Sequence, residues 1–127
     1  MLSLPPSVQV FVARAPVDMR KSFDGLENAV RNILRQDPLT GHLFVFLNKR
    51  RDRIKILMWD RHGWAILYKR LEVGTYTLPQ PKEGAQHIEV EAAELALMLE
   101  GIDLAGAKRR KRWLPEKESK KVLHPSP

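Results

Sequence analysis

No cysteine occurs among the 127 residues, so disulfides and thiolate metal sites are excluded and a reducing cytoplasm is the expected compartment. Long apolar runs are missing too. The longest aliphatic or aromatic run is Leu43-Phe44-Val45-Phe46-Leu47, far too short to cross a bilayer. The first stretch, MLSLPPSVQVFVARAP, has no basic leader and sets Pro5-Pro6 where a signal peptide needs a helix, so neither secretion nor a membrane partner is expected. There is no glycine-rich phosphate loop, and His42, His62, His87 and His124 show no metal-ligand spacing. No cofactor and no metal are therefore expected.

What the chain has in excess is positive charge, unevenly placed. The net charge is +7. Residues 1–41 hold five Lys/Arg against four Asp/Glu, and residues 42–71 hold eight against two, or +6. Residues 72–107 hold one against seven, or −6, and the tail from Lys108 returns to +6 with eight against two. A basic block and a basic tail separated by an acidic segment point to a polyanionic partner, with an acidic surface left to face a second protein.

The length fits a single domain able to bury its own core. Val8 to Ala13 reads as a strand that Pro16 ends. From Asp18 or Ser22 to Arg35, Phe23, Leu26, Val30, Ile33 and Leu34 recur at three- and four-residue spacing, which is helical. QDPLTG (36–41) is a turn. His42–Leu47, Arg53–Trp59 and Trp64–Leu71 read as consecutive antiparallel strands joined by the short loops NKRRD and DRHG, although WAILYKRL also fits a short helix. VGTYTLP (73–79) could extend the sheet and QHIEV could form a short edge strand. Residues 91–104 form the strongest helix pattern, with Leu95, Leu99 and Ile102 in one stripe and Gly101 as a stop. The expected fold is α+β: a domain over residues 1–106 with a central antiparallel sheet and two main helices, followed by a basic disordered tail at 107–127.

Loop length fixes the register of these strands. With residues 49–52 as a loop, Phe46 faces Lys55 and Phe44 faces Leu57; with DRHG as the next, Trp59 faces Trp64, Leu57 faces Ile66, Lys55 faces Tyr68 and Arg53 faces Arg70. One face then collects those residues. The other collects Leu43, Val45, Leu47, Ile54, Ile56, Met58, Ala65 and Leu67, a pure core composition. The first face mixes aromatic rings with Arg and Lys, and two readings of it are open. It is either a nucleic-acid-stacking surface or a second buried face covered by a helix, with its charges at the rim.

VDMRKSFDGL (17–26), GHLFVFLNKRRDRIKILMWD (41–60) and LYKRLEVGTY (67–76) are similar, in order and spacing, to the Orf2-like (TnpB) accessory proteins of the bacterial insertion sequences of family sixty-six. The resemblance spans roughly residues 7–104, LEGIDL included, and leaves the tail from Lys108 outside. It implies a protein encoded beside a separate acidic-triad transposase and needed for transposition of a mobile genetic element. It supplies no catalytic residues.

The residues themselves point the same way. A nuclease needs carboxylates converging on divalent metal, but Asp52 and Asp60 stand at opposite ends of one strand, about 26 Å apart if extended. Asp18 and Asp24 flank the first helix start, where capping is the expected role of Asp18. The chain is expected not to be an enzyme. DNA, at the ends of the mobile element, is the expected partner. The expected contacts are Lys49, Arg50, Arg51, Arg53, Lys55, Lys69 and Arg70, together with Lys108, Arg109, Arg110, Lys111 and Arg112 of the tail. The alternative is an adaptor that docks the transposase or another accessory protein of the element. Deleting residues 108–127, which removes +6 of charge, should weaken DNA binding across all sequences alike and leave the thermal midpoint almost unmoved. A markedly lower midpoint in a melting experiment would place the domain boundary further along the chain.

Overall fold

A computed structural model of the chain describes residues 7–79 and 82–100. The described elements are β1 (Val10–Ala13), α1 (Phe23–Asn32), a 3-10 turn (Pro38–Thr40), β2 (Leu43–Leu47), β3 (Arg53–Trp59), β4 (Trp64–Arg70), β5 (His87–Val90) and α2 (Ala92–Leu99). They build one five-stranded sheet in the order β4-β3-β2-β1-β5, so the α+β architecture is as expected. The β2–β3–β4 meander has the register that loop length predicts, from Phe46↔Lys55 through Trp59↔Trp64.

The sheet is mixed rather than wholly antiparallel. β1 pairs parallel to β2, with Val10 beside Leu43 and Val12 beside Val45, and antiparallel to the edge strand β5. The connection from β1 to β2 passes through α1, and a crossover of that length is what a parallel neighbour requires. Gly41, at φ +84 after the 3-10 turn, holds the left-handed backbone that turns the chain into β2.

Each face of the sheet has its own helix. α1 lays Leu26, Ala29 and Val30 on Phe11, Phe44, Phe46 and Leu57. α2 packs Leu95, Met98 and Leu99 on the opposite face, over Val10, Val12, Val45, Ile54 and Ile56. The aromatic and basic face is therefore, at its centre, a second buried face. α1 ends with Arg35 in the left-handed region (φ 56), where Leu34 and Gln36 N–H donate to the carbonyls of Ala29 and Val30. α2 starts with a capping box, the Glu94 carboxylate accepting from Glu91 N–H at 2.9 Å.

Other expectations change at the edges. Residues 73–79 add no strand; they cross the α2 face, where Tyr76 is buried in the core. Ala65 and Leu67 are exposed rather than core, because a helix about 10 Å across covers roughly two strands spaced about 4.8 Å apart and leaves the edge strand β4 open. Phe23 and Ile33, read as part of the helix stripe, are also exposed. Asp18 caps no helix: it accepts from the backbone and guanidinium of Arg20, and Ser22 is the residue at the N-cap of α1. Ile102, Gly101 and the tail lie outside the described residues.

Phe44→Ala should cost about 3–5 kcal/mol of unfolding free energy, whereas Leu67→Ala should cost less than about 1 kcal/mol, since half-open side chains forfeit little burial. Urea denaturation of both variants checks this, and equal losses would contradict the open edge at β4.

Candidate nucleic-acid interface

The turn between β2 and β3 is held from several directions. Asn48 N–H donates to the Arg53 carbonyl at 3.2 Å, and Arg53 N–H donates to the Asn48 side-chain oxygen at 2.9 Å. Arg51 N–H closes a turn onto the Asn48 carbonyl at 3.0 Å. The chain after β4 then straps the loop from behind, with Leu71 and Tyr76 N–H donating to the carbonyls of Asp52 and Arg51, both at 2.7 Å. The Asn48 amide also donates to Asp52 at 2.6 Å. That hydrogen bond, helped by the charges of Arg50 and Arg53, holds the Asp52 carboxyl below the ordinary aspartate range. Arg51 sits in the left-handed region at φ 59, a conformation that Asn or Gly adopts more readily.

On this fixed backbone Lys49, Arg50 and Arg51 are exposed, and none of their side chains has a hydrogen bond or ion pair among the described residues. The expected contacts beyond them separate. Arg53 is half-buried, with a long 3.4 Å hydrogen bond to the Tyr68 hydroxyl. Lys55 is buried: its ammonium donates to the Lys21 carbonyl at 2.6 Å and lies 4.7 Å from the centre of the Tyr68 ring. It is thus committed to tying β3 to the segment before α1, and it has no free face for a phosphate. Lys69 points to the other side of the sheet and donates to the Leu99 carbonyl at 2.8 Å, a cation at the C-terminus of α2. Arg70 pairs with Glu72 at 2.9 Å. Residues 108–112 lie outside the described residues.

Sequence reasoning missed Arg14. It follows β1 directly, and because β1 and β2 are parallel neighbours, their C-terminal ends emerge side by side. Val17 N–H donating to the Leu47 carbonyl at 2.9 Å fastens the two ends together. Between them lies a hollow of about 120 Å³ lined by Arg14, Pro16, Asn48, Lys49, Arg51 and Leu78, among others.

The four candidate carboxylates do not converge, and among the described residues no group of three His, Asp or Glu could hold a metal ion. Asp60 accepts from the N–H groups of His62 and Gly63, both at 3.0 Å, which closes the DRHG turn.

A family model described as IS66 Orf2 like protein matches residues 8–109. The chain belongs to that family. As an IS66 Orf2-like protein it is an accessory protein of an insertion sequence, and the family is not a known catalytic one. The match covers every described residue from Val8 onward and ends at the second residue of the KRRKR run. Two curated relatives come from Sinorhizobium fredii (strain NBRC 101917 / NGR234). The uncharacterized protein y4jC is 36% identical over 117 residues, covering 92% of this chain and 98% of its own length. The uncharacterized protein y4hO is 33% identical with the same coverage. No solved structure matches the IS66 Orf2-like chain. None of its described helices is long and apolar enough to cross a membrane.

The lowered Asp52 value has a sign. A carboxyl whose value falls on folding contributes stability above its unfolded value and loses it as pH drops through the folded one. Followed by NMR, the Asn48 side-chain amide should therefore shift with a midpoint below the ordinary aspartate value of about 3.9. A midpoint at or above it would mean that the Asn48–Asp52 bond does not form.

Proposed function

We propose that this accessory protein binds DNA at or near the ends of its insertion sequence through the tip of the β2–β3 hairpin, and that transposition requires this binding. The observation that carries the reading is the set Lys49, Arg50 and Arg51: exposed, without side-chain partners among the described residues, and mounted on a turn fixed by backbone hydrogen bonds. Three like charges in a row repel one another, and a turn needs none of them. Phosphates relieve that repulsion and release condensed counterions, so binding falls steeply with salt. Arg53 and Arg70 flank the tip at the rim; Lys55, which is buried, and Lys69, which is exposed but hydrogen-bonded to the Leu99 carbonyl, are set aside as contacts. The basic tail from Lys108 adds nonspecific affinity.

A second reading concerns the transposase as a partner. β4 is an edge strand with Leu67 and Tyr68 exposed, 40% and 49% respectively, and edges of this kind accept another chain. In this reading the protein docks the transposase there, and the charged tip assists.

Replacing Lys49, Arg50 and Arg51 together by Ala should flatten the plot of log affinity against log salt by roughly 0.9 for each phosphate that the variant no longer neutralises. An unchanged slope with an unchanged melting curve would remove DNA binding from the tip and leave docking at β4 as the function.

A further inference from the structure

We propose that the hollow at the paired ends of β1 and β2 is a seat for one phosphate group, with Arg14, Lys49 and Arg51 as its cationic walls. The inference rests on the DNA-binding reading above and names where in the tip a phosphate is held. Three independent features converge on it.

The first is placement. Arg14 and Lys49 are distant in sequence, and only the parallel register brings the ends of their strands to one rim of the sheet. The second is charge. Arg14, Lys49 and Arg51 line one cavity and have no ion pair among the described residues; Arg14 has only a 3.3 Å hydrogen bond from one guanidinium nitrogen to the Ala85 carbonyl. Arg50, next in sequence to two of them, does not line the cavity, and its charge bears on Asp52 instead. The third is backbone. Arg51 holds φ 59, and its carbonyl is fixed by Tyr76 N–H. A strained conformation at an arginine, where glycine would be relaxed, fits a position kept for its side chain.

Size sets the ligand class. About 120 Å³ is the room of roughly four waters, which suits a single tetrahedral oxyanion. Two guanidinium forks and an ammonium match phosphate oxygens in geometry and in charge. An internal phosphodiester and a terminal phosphate share this chemistry.

The test uses the full chain. DNA affinity is measured across a salt series for the wild type, Arg14→Gln, Arg51→Gly, Arg50→Gln and a charge-matched control, Arg35→Gln. Arg14→Gln should weaken binding about tenfold at low salt and remove roughly 0.9 from the slope. Arg51→Gly should do the same without lowering the melting temperature, because glycine relaxes φ 59. Arg50→Gln and Arg35→Gln should lose clearly less. In parallel, inorganic phosphate at constant ionic strength should shift the backbone amides of residues 14–15 and 49–51 in NMR spectra, and should fail to do so in Arg14→Gln. A duplex with 5′-phosphates bound more tightly than one with 5′-hydroxyls would assign the seat to a chain end; equal binding would assign it to an internal phosphodiester. Equal losses from Arg14→Gln and Arg35→Gln, with no phosphate-induced shifts, would overturn the seat while DNA binding by the tip stands. Phosphate-induced shifts in a wild-type protein that retains no DNA would do the reverse.

Discussion

Strand β2 is apolar on both faces, and all five of its residues, Leu43 to Leu47, are buried. Each such side chain gains about 1.5–3 kcal/mol by leaving water, but only if both sides of the strand are covered. That requirement organises the rest. One helix has to lie on each face, and α1, placed between β1 and β2 in the chain, covers its face by crossing over the sheet. A strand that leaves for a crossover and returns beside its predecessor runs parallel to it. The chain takes this crossover route, and the adjacency of Ala13–Arg14 to Leu47–Asn48 is a consequence of the parallel pair it makes.

The same constraint sorts the basic residues. Cations within reach of a helix or of the segment before it are drawn into structural work: Lys55 bridges to the Lys21 carbonyl and the Tyr68 ring, and Lys69, on the open edge strand β4, reaches the Leu99 carbonyl at the end of α2. Each satisfies backbone or aromatic partners that the fold itself supplies. Cations beyond the reach of the helices, at the loop and at the strand ends, keep their charge facing water. Charge density along the chain does not separate these two populations; distance from the helices does.

Much of this architecture is legible in the sequence. The short loops NKRRD and DRHG leave a single register for β2, β3 and β4, so every cross-strand pair from Phe46↔Lys55 to Trp59↔Trp64 follows from counting. Alternation also places Lys69 on the face of Ala65 and Leu67, opposite Tyr68 and Arg70, a distinction that the expected set of DNA contacts, which included Lys69, did not draw. The direction of β1 is another matter. Four apolar residues, VFVA, carry no mark of parallel or antiparallel pairing, and a connection of this length permits either. Arg14 was hidden for the same reason: it is an isolated charge whose neighbours are set by topology. The extent of helix cover over the sheet edge, which decides Ala65 and Leu67, is likewise a matter of three-dimensional width rather than period.

The pairing of Val10 with Leu43 also orders events during folding. The β2–β3–β4 meander closes through short loops and can form within microseconds, carrying the lysine and arginines of its first turn. β1 meets β2 only after a loop spanning 33 positions has closed, which costs more entropy. A nascent or partly folded chain therefore displays the basic turn before it owns the hollow beside it. Only the completed domain, with its first strand docked, presents both.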